Sequence, residues 1–244
     1  MQSNWIQSES ENLSVHSFPV DMKIFTYIKD DSSRVSKKNF RKLNGVPMWE
    51  YCLSKFSNYP VYVDTDSEQI LSSIFKYENI TAYKRDSICI DMENDKNNKE
   101  SPALLMTQRF VEKYTQPEDN VVVTHVTSPF LSIRTLQDAI QYLDKGYDYV
   151  HSVSKVQDFA WDQHYNPVNF DPSIVQRTQD IPPFYFSLGA FFCFKAHTFT
   201  KNKSRIGENT FYYELNRIES IDIDTEDDMI LAEIVARGMN NEYN

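Results

Sequence analysis

The sequence predicts a three-layer α/β fold, a mostly parallel, twisted sheet with helices on both faces. Three observations carry this expectation. The runs MKIFTYI (Met22 to Ile28) and VVVTHV (Val121 to Val126) are nearly continuous in β-favouring apolar residues, as strands buried on both faces are. Between the strands come stretches with apolar residues at helical spacing, and strands alternating with helices argue for parallel pairing. A chain of 244 residues with 41% hydrophobic content is long enough for one main core and does not require two. The expected organisation is a polar tail over 1–21, one α/β domain over 22–238 with an irregular excursion at about 158–186, and a short tail over 239–244.

In chain order, the first strand is followed by a polar loop and a helix opened by Pro47, with Met48, Tyr51, Cys52 and Phe56 facing one way up to about Ser57. Pro60 to Ser67 is a second strand, and Asp66 is expected to cap a helix striped by Ile70, Leu71, Ile74 and Phe75. Ile80 to Lys84 is a weak third strand. Arg85 to Lys99 is polar and reads as irregular, with a low-complexity patch at Asp95 to Glu100. A helix runs from Ser101 and Pro102 to about Tyr114, and the strand at Val121 leads to Thr127-Ser128-Pro129-Phe130. Ser132 caps a helix whose Leu136, Ala139, Ile140 and Leu143 point inward, and Tyr147 to Ser154 returns as a strand. From Asp158 to Phe186 the periodicity fails, yet Trp161 and several prolines make the segment too aromatic for a disordered linker. Gly189 to Phe194 is read as a strand, Ala196 to Arg205 as a short helix and loop, and Ser220 to Asp224 as the last strand. Thr225 then opens a closing helix, with an acid three residues on.

The loop after the first strand holds the densest cluster of cations. Between Lys29 and Lys42 it gathers Arg34, Lys37, Lys38 and Arg41 as well, although the chain carries a formal charge of −10. A local excess of cations in an acidic protein wants a local anion. Ser32, Ser33, Ser36 and Asn39 add hydrogen-bonding groups, and loops at the carboxyl ends of parallel strands hold ligands in such folds. A phosphate-bearing ligand follows; the alternative is a solvated basic loop.

Composition excludes several classes. With a pI near 5, broad nucleic-acid binding is disfavoured. Five glycines leave no glycine-rich phosphate loop. The first twenty residues hold no apolar run of signal-peptide length and no later segment could span a membrane, so a soluble, cytoplasmic protein is expected. Three widely spaced cysteines suggest neither a disulfide framework nor a zinc site.

In Ile221-Asp222-Ile223-Asp224 a period of two puts both carboxylates on one face. Such a pair either is well solvated at a helix start or holds a cation such as Mg²⁺ together with substrate phosphates. His125 ends a central strand where it could face a ligand. Arg85 follows a strand and either contacts phosphate or base or sits on the surface. Arg177, in Arg177-Thr178-Gln179-Asp180, offers a fork suited to a carboxylate, or pairs with Asp180.

Four ordered stretches resemble the acylneuraminate cytidylyltransferases, over about Lys23 to Arg237. R-V-S-K-K-N-F-R-K-L-N-G-V-P (Arg34 to Pro47) is similar to that family's K-N-x-x-x-x-x-G-x-P signature, and V-Y-V-D-T-D-S-E-Q-I (Val61 to Ile70) to its V-x-V-S-T-D-S-E-x-I. T-S-P-F (Thr127 to Phe130) resembles its T-S-P-L turn, and I-D-I-D-T-E-D-D (Ile221 to Asp228) its I-D-I-D-T-x-x-D. The resemblance implies a Rossmann-like nucleotide-sugar transferase fold in which a 2-keto sugar acid attacks the α-phosphate of CTP and displaces pyrophosphate. It implies that Ser32, Lys38 and Asn39 hold the nucleotide, that Arg85 contacts it, and that Asp222 and Asp224 hold Mg²⁺. Lys29, Arg34 and His125 complete the expected nucleotide site, Lys38, Asp222 and Asp224 the catalytic set, and Arg177 with Gln179 the sugar-acid contacts from a dimerising excursion. A homodimer is expected. The family loop commonly reads A-R-x-x-S-K-G, whereas Lys29 to Arg34 reads K-D-D-S-S-R. That departure motivates the alternative of a catalytically silent relative that binds nucleotide or nucleotide-sugar.

Overall fold

The computed structural model describes residues 21–32 and 35–241. The expected tail over 1–21 therefore lies, except for its last residue, outside the described residues, as do Ser33 and Arg34. The opening strand is β1 (Lys23–Ile28), and a two-residue turn at Asn44-Gly45 joins β2 (Lys42–Leu43) to β3 (Val46–Pro47). Both turn residues have positive φ (49° and 82°), the twist that two-residue hairpins need and that Asn-Gly supplies at least cost. Then follow α1 (Met48–Leu53), β4 (Val61–Thr65), α2 (Glu68–Ser73), β5 (Ile80–Lys84), α3 (Ser87–Asn94), α4 (Ala103–Tyr114) and β6 (Asn120–Thr124). The second half comprises α5 (Ile133–Asp144), β7 (Tyr149–Val156), β8 (Phe184–Lys195), α6 (Ala196–Asn202), β9 (Thr210–Glu214) and α7 (Glu226–Asn241).

Seven strands form one sheet in the order β5-β4-β1-β6-β8-β7-β9. Strands β5, β4, β1 and β6 are parallel, β8 runs against both β6 and β7, and β9 is parallel to β7. The strand period of two sorts side chains to two cores: Ile24, Ile28 and Val122 to one face, Phe25, Val121 and Val123 to the other. The first face is covered by α1, α2, α5 and α7 through Met48, Ile70, Ile140 and Ala236. The second is covered by α4 and α6 through Met106, Phe110 and Phe199, with Phe110 stacked on Phe25 at 4.6 Å. Burial on both faces is why these strands read as apolar runs. From β1 the chain crosses to β4 on one side and later to β6 on the other, and a crevice opens where the order reverses.

Four local expectations need correction. Ser67 rather than Asp66 caps α2, its Oγ accepting from the Ile70 amide at 3.5 Å; Asp66 Oδ1 instead accepts from the Asp30 amide at 2.7 Å. The stretch after Arg85 is not wholly irregular. Asp86 caps α3 through the Ile88 amide, and Cys89 is that helix's one fully buried side chain, so no apolar stripe announced it. Strand β8 starts at Phe184, before Gly189, which takes a φ of 66° beside a register shift in β7. The last strand is β9, not Ser220 to Asp224. Residues 221–224 have no ladder partner, and the Ile223 amide donates to Thr127 O at 2.8 Å.

The expected cap on α7 forms as a reciprocal box: Thr225 Oγ1 accepts from the Asp228 amide, and the Asp228 carboxylate accepts from the amides of Asp224 and Thr225. Between β7 and β8, the chain makes one 3-10 turn (Thr178–Asp180), a bridge between Trp161 and Pro167, and an aromatic cluster of Phe159, Trp161 and Phe170. Among the described residues no helix is long and apolar enough to cross a membrane. The three cysteines are buried thiols.

Candidate active site

A cleft of about 310 Å³ opens at the carboxyl ends of β1 and β6, between the basic loop and the Ile221–Asp224 segment. The loop is shaped by its own acids. Asp31 Oδ1 accepts from the amides of Ser32 and Lys37 at 2.9 and 2.8 Å, which turns the chain back on itself and supports Lys37 in the left-handed region, at φ 50°. Asp30 accepts from Ser67 Oγ at 2.8 Å and from the Lys37 ammonium, and these bonds hold its carboxyl below the usual range. The 3-10 turn Lys38–Phe40 then aims Lys38 and Asn39 inward, and Asn39 Nδ2 donates to Lys29 O at 2.8 Å.

Lys38 is the central cation of the cleft. Its side chain is only 9% exposed, and Nζ donates to Ile223 O at 2.7 Å and to Asp224 Oδ1 at 3.2 Å. Ile223 is fully buried, so the alternation expected for I-D-I-D is realised without a ladder, and both Asp222 and Asp224 line the cleft. Lys29 and Ser32 line it as well, and Lys29 reaches Glu93 Oε2 at 3.4 Å. Glu93, on α3, belongs to a segment read from sequence as irregular.

At the floor, His125 Nε2 and the Tyr27 hydroxyl lie 2.7 Å apart. Burial, reinforced by the charges of Arg205 and Lys38, pushes the His125 pKa down to about 4. His151, on β7, is likewise pushed by burial to about 4, with Nε2 2.7 Å from Ser187 Oγ. Both are therefore neutral near pH 7. The unfolded chain takes up these protons below about pH 6.5 while the folded chain does not, so stability is fully present above that pH and is lost as pH falls toward 4. By pH 5 each histidine is expected to have cost about 2 kcal/mol. Denaturant titrations at pH 7 and 5 check this: His151→Gln should remove roughly half of the drop attributable to the pair, and an unchanged drop would contradict the assignment.

The other expected site residues fall elsewhere. Arg85 is buried, its Nε 2.6 Å from Asp64 Oδ1 and its Nη1 2.9 Å from Glu93 Oε2, and it braces β4 against α3 rather than opening on the cleft. Arg177 is exposed in the excursion and forks onto Asp180 at 2.7 and 3.1 Å; neither it nor Gln179 lines the cleft. A larger hollow of about 490 Å³ beside Tyr83, Arg109 and Tyr114 shares no lining residue with the cleft and is lined by both acids and bases. Sequence reading missed Tyr27 and Glu93, which line the cleft, and Arg205, whose charge bears on His125. Glu93 and Arg205 carry no local pattern, and Tyr27 reads as an ordinary strand residue.

For a divalent cation, the donor set is two carboxylates; among the described residues no cluster of three or more His, Cys, Asp or Glu side chains forms a metal cage. Two carboxylates beside a triphosphate fit Mg²⁺, which keeps several waters and takes substrate phosphates as its other ligands.

Comparison with known proteins gives consistent matches. The model of a family described as Cytidylyltransferase matches residues 30–235. N-acylneuraminate cytidylyltransferase A of Danio rerio is 28% identical over 214 residues, 83% of this chain and 47% of that protein. N-acylneuraminate cytidylyltransferase of Streptococcus agalactiae serotype V is 26% identical over 217 residues, 83% of this chain and 50% of that protein. The chain thus spans about half the length of the curated relatives it matches. Among solved structures, a CMP:2-keto-3-deoxy-manno-octonic acid synthetase complexed with CTP superposes with a TM-score of 0.60 at 13% identity, covering 91% of this chain and 99% of that one. A 4-diphosphocytidyl-2C-methyl-D-erythritol synthase from Anaerococcus prevotii gives 0.58 at 15% identity, covering 89% and 96%. These two likenesses show a shared fold.

Proposed function

The chain belongs to the cytidylyltransferase family, and from that premise we propose that it couples CTP to a 2-keto sugar acid, giving a CMP-sugar and pyrophosphate. The anomeric hydroxyl of the acid bonds to the α-phosphorus and gives up its proton to solvent, the bond from that phosphorus to the bridging oxygen breaks, and pyrophosphate carries the electron pair away. Such displacements need positioning and charge neutralisation more than a nucleophilic side chain. The observation that carries the reading is the nearly buried Lys38, held at the cleft between Ile223 O and Asp224. In the free protein Lys38 and Asp224 hold each other's charge. A triphosphate with its cation would offer each a better partner: Lys38 would hold phosphate, and Asp224 with Asp222 would hold Mg²⁺. Bound there, Mg²⁺ would neutralise charge developing on the leaving pyrophosphate. Asn39 keeps the loop closed through Lys29 O, Ser32 and Lys29 line the phosphate path, and neutral His125 faces the ligand without adding a charge that titrates near pH 7.

Incubation with each nucleoside triphosphate, Mg²⁺ and a panel of 2-keto sugar acids, followed by pyrophosphate release, tests the proposal. Release with CTP and at least one acid is expected; silence across the panel would count against it. One observation favours a second reading, a silent nucleotide binder: Lys29, Lys37 and Lys38 already pair with Glu93, Asp30 and Asp224. Calorimetry separates the two, since tight CTP binding without turnover in any mixture supports the silent binder.

We further propose that the excursion is a dimer contact. Val175, Ile174, Tyr165, Val168 and Trp161 are all exposed there, an apolar density that a monomer rarely leaves in water. Arg177 and Gln179 would then meet an acceptor only across the two-fold. Sedimentation is expected to show a dimer at micromolar concentration, and a clean monomer would end this part of the account.

A further inference from the structure

We propose that Arg205 recognises the carboxylate of the acceptor, an assignment that rests on reading the cleft as the site of sugar-acid activation. Arg205 lies in the loop between α6 and β9, and its guanidinium sits over the Phe192 ring at 4.2 Å from the centroid. Nη1 is buried and has no hydrogen-bond partner among the described residues. Lys29, Lys38, Arg85 and Arg177 each have a carboxylate within 4 Å; among the described residues Arg205 has no such partner. A guanidinium nitrogen taken out of water and left without an acceptor is costly, and the cost is recovered when a ligand supplies the anion.

The surroundings say where that anion sits. The guanidinium lies over Phe192, whose ring centroid is 6.4 Å from that of His125, and His125 with its partner Tyr27 lines the cleft. Burial keeps His125 and His151 neutral, so neither histidine adds a positive charge beside Arg205. It approaches from the β8 side, where Phe192 lies, whereas Lys29 and Lys38 approach from the loop after β1. The cations of that loop suit a triphosphate. A planar fork stacked on an aromatic ring suits a planar carboxylate, which it grips with two parallel bonds.

The fork is also fixed before any ligand arrives. Gly207 lets the loop lie flat on Tyr149, where an added Cβ would fall 2.6 Å from the ring. Asn202 donates to the Tyr149 hydroxyl at 2.7 Å, and Ser204 Oγ donates to Ile206 O at 2.6 Å. A rigid anchor of this kind selects a 2-keto acid over a neutral sugar of the same shape, because the neutral one leaves the guanidinium unpaired.

The test compares wild type with Arg205→Met, Arg205→Lys and Arg177→Met, using N-acetylneuraminate, 2-keto-3-deoxy-manno-octonic acid and their methyl esters. Steady-state rates and calorimetry of the acids with CMP present are measured together. Arg205→Met is expected to raise the acid's KM roughly tenfold to a hundredfold, the scale of losing hydrogen bonds to a charged group, with the KM for CTP unchanged and the preference for acid over ester lost. If it fails to fold, Arg205→Lys, which keeps the charge and loses the fork, should give the same direction at an unchanged melting temperature. A rise in the KM for CTP alone would put Arg205 on phosphate and overturn the assignment. So would loss of acid selectivity in Arg177→Met but not in Arg205→Met. If wild type releases no pyrophosphate with any acid, the functional reading fails on its own. Calorimetry then decides Arg205: weaker acid binding in the variant supports it, and equal or absent binding overturns it.

Discussion

Lys38→Met is expected to lower turnover by about a thousandfold, the scale of removing one preorganised electrostatic stabiliser at about 4 kcal/mol. The side chain is enclosed, with 9% of its surface exposed, so no water-borne cation takes its place. Methionine keeps the stem's packing and removes the ammonium, leaving Ile223 O without its 2.7 Å donor. Loss of that bond should cost stability by about 1 kcal/mol, too little to unfold a domain of this size. If Lys38 merely tied Asp224 and Ile223 together, turnover would fall only a few-fold, in step with stability. Steady-state rates beside a denaturant midpoint separate the two, because only loss of chemistry lowers the rate about a thousandfold while the midpoint shifts by no more than a loss of about 1 kcal/mol implies.

Asp224→Asn is expected to lower turnover by at least about a hundredfold, on the scale of about 3 kcal/mol of electrostatic stabilisation. The isostere keeps the acceptor that Lys38 Nζ reaches at 3.2 Å while removing the charge a cation would need. The Mg²⁺ concentration for half-maximal rate should rise in Asp224→Asn and in Asp222→Asn alike, since both carboxylates line the cleft. A solvated strand end would behave otherwise, with near-normal rates and stability altered by no more than about 0.5 kcal/mol. Superimposed Mg²⁺ titrations for wild type and the two variants would move the cation to another part of the cleft.

How far each feature was legible in the sequence follows from how local its cause is. The first strands and their helices read clearly because burial on both faces writes a run of apolar residues, as in Val121 to Val123. The Thr225 cap read clearly because both halves of the box lie within one turn. Strand β9 did not, because an edge strand pairs on one side only and T-F-Y-Y-E alternates between packed and open positions. Helix α3 escaped because it buries a single cysteine, and with it went Glu93, which Lys29 and Arg85 share.

In the cleft, the residues of the basic loop and the two aspartates were found from the sequence because motif and charge mark them. What sequence does not carry is pairing. Six cations between Lys29 and Lys42 suggest an open anion site, yet Lys29, Lys37 and Lys38 meet acids in the fold. Arg205 shows the converse: nothing in K-S-R-I-G marks it, and its meaning comes from Phe192 beneath it and from His125 and Tyr27, which are distant in the chain. Arg85 looked exposed because it follows a strand, but Asp64, on the neighbouring strand, draws it inside.

The central claim is that this cleft joins CTP to a sugar acid, and phosphorus NMR of one reaction mixture tests it most directly. Wild type with CTP, Mg²⁺ and N-acetylneuraminate or 2-keto-3-deoxy-manno-octonic acid is predicted to convert the three resonances of CTP into one phosphodiester resonance and pyrophosphate, in equal amounts. Intact CTP with either acid, or CMP without a phosphodiester, would contradict it.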